Sequence, residues 1–378
     1  MRPLRIGVNA LYMIPGGVGG TEIYLRCLLD ELAELDSVNE YVIFTNRETG
    51  SSLGPVAPNF RRARQPVGAR IRPARILWEQ VVLPLALRSW NIDVLFNPGF
   101  TSPVFSPCPT VTVFHDLQHK RHPEYFRWFD LPFWRVLLYL SARRAGILLA
   151  DSEATRADLL RYYRLPVEKV RTAPLGVDKR FFEVGRMRCQ ENIKPYFLAV
   201  STLHPHKNLE RLIRAFRTFR KDRPEFTLVI AGLRGFHSEV IERLIAELDL
   251  QECVRLTGWI PRQELYELFL RAFAFFYPTT FEGFGLPVVE AMAAGVPTAC
   301  SAIAPVKNVA GDAALLFNPA EEEEIRQAML RLASEPDLCA MLARKGPLRA
   351  REFSWRRTAE ITLRALEEVA SYRSKSSS

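Results

Sequence analysis

Short apolar runs alternate with amphipathic stretches along most of this chain of 378 residues. The runs that predict β-strands are 5–11, 41–45, 93–97, 110–114, 146–150 and 169–173 in the first half, and 196–202, 226–232, 254–258, 273–279 and 297–301 in the second. Between them, stretches such as 21–35 and 152–163 repeat apolar residues at the spacing of a helix. This alternation predicts parallel sheets with helices on both faces.

The alternation is interrupted at 174–195, a stretch rich in Gly, Pro and charge that has no steady period. We place a linker there, since a chain of this length fits two domains better than one. The sequence therefore predicts an α/β protein with two doubly wound Rossmann-like domains, at 1–180 and 190–353. Such sheets bind ligands at the carboxyl ends of their strands, so we expect the active site in a cleft between the domains.

Composition supports a folded globular protein, because 48% of the residues are apolar and 25% are charged. The net charge of +9 is concentrated in residues 1–180, which carry 24 Lys and Arg against 17 Asp and Glu. Such an excess suits nucleic acid, an anionic membrane surface or phosphorylated substrates. Six scattered cysteines without a CxxC pair, and no long apolar segment, predict a cytoplasmic protein that can still bind a membrane surface.

The segment FEGFGLPVVEAMAAGVP, residues 281–297, carries two glutamates beside a predicted helix N-terminus. Pro287 suits the first turn, so the helix should begin near Gly285, with Glu282 just before it and Glu290 one turn inside. A helix N-terminus binds phosphate, and two carboxylates beside it can accept hydrogen bonds from hydroxyls. The ligand that combines these groups is a nucleotide sugar. The alternative is that Glu282 is an exposed loop residue and Glu290 forms a structural salt bridge.

This segment resembles the E-x7-E motif of retaining glycosyltransferases of family 4, which have the GT-B fold. Other segments resemble that family in order and spacing: PGGVGGTEIYL, VFHDLQHKRHPEYF, LADSEATRADLLRYY, APLGVD, FLAVSTLHPHKNLERLIRAF, LTGW and FSWRRTAEITLRALEEV. The HDL…HPEYF and KNL versions are most similar to bacterial polysaccharide mannosyltransferases and rhamnosyltransferases. By this resemblance Glu290 binds the nucleotide ribose and Glu282 faces the donor sugar as a catalytic residue. The resemblance also implies that the backbone N–H groups of Phe284, Gly285 and Leu286 assist.

The segment PHKN, residues 205–208, follows the first predicted strand of the second half. Lys207 adds a positive charge to a helix N-terminus, which suits a diphosphate leaving group. Relatives commonly have Gly at the position of Ser201 and Arg at that of Thr202 or His206, so the phosphate site depends more heavily on Lys207. Ser201 and His206 complete this part of the predicted donor site. The alternative is a solvated lysine at a helix start.

The glycine-rich loop 15–20 lies between a predicted strand and a long helix. Its four glycines let the backbone approach a ligand, although the G-x-G-x-x-G spacing is absent. The resemblance implies a loop that closes over the diphosphate with Gly19 and Gly20 nearest. The alternative is an ordinary flexible turn.

His115 stands at the carboxyl end of a predicted strand, followed by Asp116, which could orient it. By the resemblance, His115 is a catalytic residue that contacts the donor sugar near the reacting carbon. The spacing of His115, His119 and His122 also raises a zinc site. Pro123 and the lack of a helical apolar pattern argue against zinc, and no metal ligands are predicted.

Arginines alternate with large aromatic residues at 121–145, and a second arginine-rich segment, predicted as a loop, spans 61–75. One interpretation is a buried amphipathic helix whose arginines reach solvent. The other is a surface that rests on anionic lipid, where a lipid-linked acceptor is found.

The resemblance implies a metal-independent hexosyltransferase of polysaccharide or lipopolysaccharide biosynthesis, with GDP-mannose as the donor. The acceptor would be a glycan or a lipid-linked sugar, no cofactor is expected, and the final helix, at 354–372, would pack back onto the first domain. Three alternatives remain open: a glycoside hydrolase with two carboxylates, a nonhydrolysing sugar-nucleotide epimerase of the same fold, and a nucleic-acid-binding protein. The sequence contains no helix-turn-helix, zinc-finger or RNA-binding signature to support nucleic-acid binding, so nucleic acid is not an expected partner.

Overall fold

Two parallel sheets organise the chain, and each belongs to its own compact unit. The computed structural model describes residues 2–376 except 18, 51, 127, 190 and 192. The first unit consists of Met1–Gly176 and Trp355–Ser378, and the second of Val177–Ser354. The prediction of an α/β protein with two Rossmann-like domains is confirmed.

The first unit has a seven-stranded parallel sheet in the order β3-β2-β1-β4-β5-β6-β7. Its strands are β1 (Arg5–Asn9), β2 (Glu40–Thr45), β3 (Phe60–Arg64), β4 (Val94–Asn97), β5 (Thr110–Phe114), β6 (Ile147–Ala150) and β7 (Val170–Thr172). Its helices up to this point are α1 (Gly20–Leu35), α2 (Arg72–Ser89), α3 (Gln118–Arg121), α4 (Leu131–Arg144) and α5 (Glu153–Tyr163). The chain proceeds outward in both directions from β1 and β4, which makes the gap between them the switch point where doubly wound sheets bind ligands.

The second unit has a six-stranded parallel sheet in the order β10-β9-β8-β11-β12-β13. Its strands are β8 (Tyr196–Val200), β9 (Thr227–Ala231), β10 (Val254–Gly258), β11 (Ala274–Tyr277), β12 (Thr298–Ser301) and β13 (Leu315–Phe317). Its helices are α6 (Lys179–Met187), α7 (Leu209–Arg220), α8 (Ser238–Glu247), α9 (Arg262–Arg271), α10 (Leu286–Ala293), α11 (Val306–Ala310), α12 (Glu322–Ser334) and α13 (Pro336–Ala350). Here the switch point lies between β8 and β11.

The last helix, α14 (Trp355–Ser376), belongs to the first unit and packs against α1. The Trp355 ring meets the Tyr24 ring edge to face at 5.9 Å. Arg171 on β7 donates two hydrogen bonds to the Glu368 carboxylate, at 2.7 and 2.8 Å. The helix is therefore joined to the first unit by both apolar and charged contacts.

Strand β13 was not among the predicted strands, and two longer segments also differ from the sequence expectation. Part of the arginine-rich segment 61–75, predicted as a loop, forms strand β3 at the edge of the sheet and the start of α2. An edge strand tolerates charged side chains, so its arginines break the apolar run without breaking the strand. The predicted linker 174–195 contains α6, which buries Phe181 and Val184, and the two units divide after Gly176 rather than at 180–190. Residues 190 and 192 of that segment lie outside the described residues.

Helix α10 is buried along almost its whole length in the second unit. Gly346 of α13 lets the two helices approach closely. A Cβ at that position would lie only 2.9 Å from the Met292 carbonyl oxygen of α10. Side chains at that contact would push the helices apart. The C-terminal part of α10 is thus packed tightly against α13.

Candidate active site

The segments that follow β8 and β11 are joined at the switch point of the second sheet. The Thr280 N–H group donates to the His206 carbonyl at 2.8 Å. The Asn208 amide donates to the Pro278 carbonyl at 3.0 Å. These bonds bring the PHKN segment beside the loop that carries Glu282.

Lys207, Glu282 and Tyr277 form one hydrogen-bonded cluster. The Lys207 Nζ lies 2.5 Å from Glu282 Oε1 and 3.2 Å from the Tyr277 hydroxyl, which itself donates to Glu282 Oε1 at 2.7 Å. Only 15% of the Lys207 side chain and 12% of the Glu282 side chain are exposed. Burial raises the pKa of Glu282, but Lys207 and its neighbours more than offset this, so the pKa is lowered. The Glu282 carboxylate is therefore ionised at neutral pH and accepts hydrogen bonds.

Glu290 on α10 is held by a second cluster of charged and polar side chains. Its Oε1 accepts a hydrogen bond from Arg262 Nη1 at 3.2 Å, and only 4% of its side chain is exposed. Arg262 also lies 3.5 Å from Asp178, which accepts a hydrogen bond from the Tyr266 hydroxyl at 2.6 Å. Burial raises the pKa of Glu290, and Arg262 offsets only part of that rise. The salt bridge considered as an alternative for Glu290 is thus present, whereas Glu282 is not an exposed loop residue.

The helix α10, which carries Glu290, begins where the sequence predicted. Gly285 precedes its first residue, Leu286, with φ of 105°, a value that favours glycine. The side chains of Phe284 and Leu286 are buried, and the Phe284 ring meets the Phe353 ring edge to face at 5.6 Å. These contacts fix the backbone whose N–H groups are predicted to bind the donor.

Ser201 follows β8 directly, and its hydroxyl oxygen is buried without a hydrogen-bond partner among the described residues. The His206 ring stacks on the His204 ring with their centres 5.8 Å apart. Both predicted donor-site residues, Ser201 and His206, therefore lie on the same segment as Lys207. A buried hydroxyl without a partner is uncommon, which marks this segment as a place for a polar ligand.

The glycine-rich loop of the first unit is tied to the helix that follows it. The Gly16 N–H group donates to Glu22 on α1 at 2.7 Å. Gly19 has φ of 59° and directly precedes α1, and a Cβ on Gly19 or Gly20 would meet nothing within 4 Å. The backbone at Gly19 and Gly20 is thus open to a ligand. Residue 18 of this loop lies outside the described residues.

His115 is oriented by Asp151 on the neighbouring segment and not by Asp116. Its Nδ1 lies 2.7 Å from Asp151 Oδ2, and its Nε2 lies 2.9 Å from the Pro98 carbonyl oxygen. Burial lowers the pKa of His115, but Asp151 and the Pro98 carbonyl more than offset this, so the pKa is raised. Since both neighbours are acceptors, an imidazolium satisfies both contacts. The Asp116 carboxylate instead accepts a hydrogen bond from the Gln118 N–H group.

The three histidines that raised a zinc site have separate hydrogen-bond partners. His119 hydrogen-bonds the Tyr163 hydroxyl at 2.8 Å, and His122 contacts Glu124 at 2.9 Å, while His115 is held by Asp151. In the described part of the chain, no group of three His, Cys, Asp or Glu side chains is placed to hold a metal.

The structure brings Lys207 and Glu282 together and places Glu290 on the adjoining helix. His115, Gly19 and Gly20 belong to the first unit, and their predicted roles toward the donor stay predictions. Sequence reasoning missed Tyr277, Arg262, Asp178 and Asp151 as partners of the site residues. The sequence contains one indication for Arg262, which is the first residue of a helix. A cation is unfavourable at a helix N-terminus, so an arginine at this position indicates a carboxylate partner from another segment.

Comparisons with known proteins agree with this architecture. The family model described as Glycosyltransferase Family 4 matches residues 18–181, and the model described as Glycosyl transferases group 1 matches residues 188–349. O-antigen chain mannosyltransferase B of Escherichia coli is 27% identical over 303 residues, covering 78% of this chain and 77% of that protein. The MMP alpha-(1->4)-mannosyltransferase of Mycolicibacterium hassiacum is 28% identical over 398 residues, covering 93% of this chain and 95% of that protein.

Among solved structures, HepE of Anabaena in complex with UDP and glucose superposes with a TM-score of 0.74 at 18% identity, covering 96% of this chain and 99% of that one. This likeness establishes the fold. The two family models together span both units, and the matched relatives extend over most of the chain. The chain therefore belongs to the family 4 glycosyltransferases with the GT-B fold, and it is a hexosyltransferase.

Proposed function

We propose that the protein transfers mannose from GDP-mannose to a hydroxyl group of a glycan or lipid-linked acceptor in bacterial polysaccharide synthesis. Retention at the anomeric carbon and independence from a metal ion are part of the proposal. The two mannosyltransferases described above support mannose as the sugar. The resemblance of residues 281–297 to the E-x7-E motif supports retention.

The observation that carries the proposal is the pairing of Lys207 with Glu282 beside the N-terminus of α10, with Glu290 one turn inside that helix. As the glycosidic bond breaks, negative charge develops on the departing diphosphate. A lysine and helix N–H groups that already lie in place stabilise that charge without a reorganisation of solvent. This positive charge is the reason that we propose a metal-independent reaction.

The two glutamates serve different hydroxyls in this proposal. The ionised Glu282 accepts hydrogen bonds from the sugar, and Glu290 accepts them from the ribose. Arg262 favours the ionised form of Glu290 in its buried position. His115 contributes a hydrogen-bond donor to the sugar, as the resemblance implies.

A thermal-shift panel of GDP-, UDP-, ADP- and dTDP-sugars tests the donor. A ligand at 100 times its Kd stabilises the folded state by about 2.7 kcal/mol, so the correct donor should raise the melting temperature visibly. We expect GDP-mannose to give the largest shift. A larger shift with UDP-glucose would replace the proposed donor while leaving the transferase class intact.

Product analysis tests the reaction. With GDP-mannose and a mannan oligosaccharide, NMR should show a new α-anomeric linkage, and the rate should be unchanged in EDTA. Conversion of GDP-mannose into an epimer without an acceptor would contradict the proposal and identify an epimerase. Loss of activity in EDTA would remove metal independence alone.

The segment before and along α4 presents a basic and aromatic surface, which we call the α4 surface. Trp128, Phe129, Phe133 and Val136 are exposed, and the Trp128 side chain is 83% exposed. Arg135, Arg143 and Arg144 on the same helix are also exposed. In the described residues no helix combines the length and hydropathy needed to cross a membrane. We therefore propose that this surface binds anionic lipid at the inner face of the cell membrane.

Vesicle sedimentation tests the α4 surface. The protein should sediment with phosphatidylglycerol vesicles and stay in the supernatant with phosphatidylcholine vesicles. The double substitution Trp128→Ser and Phe133→Ser should weaken sedimentation several-fold. Phe236→Ser, which removes an exposed aromatic side chain of the second unit, serves as the matched control. Equal sedimentation of all three proteins would show that the α4 surface does not bind the lipid.

A further inference from the structure

A polar network lies at the switch point of the first sheet, where β1 and β4 end. The Asn9 amide on β1 donates to the Asn97 amide oxygen on β4 at 3.1 Å. The Tyr12 ring, just beyond β1, covers Gly99, where a Cβ would lie 2.7 Å from that ring. This is the edge at which a doubly wound sheet binds its ligand.

Glu79 of α2 forms the centre of the network. It is 1% exposed, and its Oε2 accepts hydrogen bonds from Asn9 at 3.2 Å and from the Thr101 hydroxyl at 3.0 Å. Its Oε1 accepts one from Gln80 at 3.2 Å. Glu79 is thus a buried carboxylate whose oxygens are satisfied by neutral donors.

Arg75, one turn earlier on α2, is in the opposite situation. It is 7% exposed, yet within the described residues its guanidinium donates no hydrogen bond and has no carboxylate within 4.0 Å. Glu79 and Tyr12 are its favourable electrostatic neighbours, while Arg72 is unfavourable, and burial lowers the pKa of Arg75. A guanidinium that is mostly buried without hydrogen bonds to the protein is costly, because its N–H donors lose part of their water and gain no protein partner.

We propose that Arg75 is the anchor of an acceptor subsite in the first unit and binds an anionic group, a phosphate or a carboxylate, carried by the acceptor. The inference rests on the proposed transfer to a glycan or lipid-linked acceptor. The planar guanidinium matches phosphate and carboxylate with two parallel hydrogen bonds. Tyr12 interacts electrostatically with Arg75, and within the described residues its hydroxyl makes only a long contact of 3.4 Å with the Thr21 carbonyl, so it can donate to a ligand at this edge of the sheet.

The anionic group can belong to a lipid-linked diphosphate or to an acidic sugar, and titration with two probes distinguishes these acceptors. Geranyl diphosphate represents a lipid-linked diphosphate, and glucuronic acid represents an acidic sugar. Calorimetric titrations are done on the full chain with the nucleoside diphosphate from the thermal-shift panel at saturation, so that the donor site is occupied. We expect one of the probes to bind. Binding of geranyl diphosphate identifies a lipid-linked acceptor, and binding of glucuronic acid identifies an acidic glycan.

Substitutions then assign the binding to Arg75. Arg75→Gln should raise the Kd of the probe that binds at least 10-fold. Arg75→Lys keeps the charge near Glu79 but loses the two-pronged geometry, so it should fold normally and weaken binding several-fold. Arg88→Gln removes an exposed arginine from the last turn of the same helix and should leave binding unchanged.

The inference is overturned if neither probe binds the unaltered chain, or if Arg75→Lys and Arg75→Gln bind as tightly as it does. Failure of the proposed function has a different signature, because no nucleotide sugar would then shift the melting temperature. In that case the same probe titrations without nucleotide still test the Arg75 subsite.

Discussion

At the scale of residues, the two glutamates of the 281–297 segment are each buried beside a cation, yet their pKa values shift in opposite directions. Glu282 faces a lysine and a tyrosine hydroxyl, and its pKa is lowered. Glu290 faces an arginine that is shared with Asp178, and its pKa is raised. The pair therefore differs in how readily each carboxylate takes up a proton. Donor binding should be lost first through Glu290 as the pH falls.

Glu290→Gln tests the ribose role directly. A hydrogen bond to a charged group contributes about 1.5–3 kcal/mol, so the Kd for the donor should rise roughly 10- to 100-fold. Glutamine keeps the shape of the side chain, which separates the loss of charge from a loss of packing. Thermal shift with GDP-mannose measures the change, and Glu323→Gln, on the surface of α12, is the control. An undiminished shift would remove Glu290 from the ribose site.

The His115–Asp151 pair makes stability depend on pH. The pKa of His115 is raised in the folded protein above its ordinary value of 6.5. The contribution of His115 to the free energy of unfolding is therefore fully present below about pH 6.5 and disappears as the pH rises through the folded pKa. The melting temperature of His115→Gln should therefore fall further below that of the unaltered protein at pH 6 than at pH 9. His122→Gln, at a more exposed histidine, is the control. A difference that is constant with pH would contradict the charged pair.

Local sequence identified the residues that carry the site but not the residues that hold them. Glycines, a proline and two glutamates within 281–290 predict a helix start and its flanking carboxylates from short-range rules alone. Arg262 lies 28 positions from Glu290, and Asp151 lies 36 positions from His115. Such pairs are set by the order of strands in a sheet, which periodicity does not reveal.

At the scale of elements, α10 connects the site to the packing of the second unit. Its N-terminal end carries the groups that we propose to bind the donor, and its other end packs against Gly346 on α13. A shift at that contact would move Glu290 along with the helix. Remote packing and donor affinity should therefore change together.

Gly346→Ala tests this coupling. The added methyl group would lie 2.9 Å from the Met292 carbonyl oxygen, and overpacking of this kind costs about 1–3 kcal/mol, more than the roughly 1 kcal/mol that alanine gains in helix propensity. We expect lower stability in urea denaturation together with a weaker thermal shift from the donor.

Gly20→Ala is the matched comparison, since its methyl group meets nothing within 4 Å. It should keep stability unchanged or slightly higher while weakening donor binding through the glycine-rich loop. Unchanged urea stability in Gly346→Ala would show that α10 and α13 can separate freely.

Sequence patterns located most strands and helices because apolar spacing reports burial. They failed where burial is incomplete. Strand β3 lies at an edge and carries arginines, and α6 is a short helix whose apolar face holds only Phe181 and Val184. Both segments depend on their neighbours in the fold more than on their own sequence.

At the scale of the whole molecule, the chain leaves the first unit after Gly176 and returns to it at Trp355. The returning helix buries Ala365, Leu366 and Val369. The first unit thus depends on residues that are distant in sequence. Its stability cannot be assigned to residues before 177 alone.

Removal of residues 355–378 should unfold or strongly destabilise the first unit, because it uncovers the face of α1 that α14 covers. Circular dichroism and thermal melts measure the effect. Leu366→Ala is a milder version, expected to cost about 2–5 kcal/mol for a fully buried leucine. Turnover and melting temperature that survive the truncation would contradict this dependence.

The return of α14 also sets an order of events during translation. The first unit begins to emerge from the ribosome first, but it is completed last, after all of Val177–Ser354 has been made. Translation proceeds at about 5–20 residues per second, so the nascent α1 waits roughly 16 to 64 seconds for its partner helix. During that interval the second unit can finish folding while the first unit still exposes the apolar face of α1. Production of this enzyme in a cell should accordingly depend on chaperones that shield nascent chains.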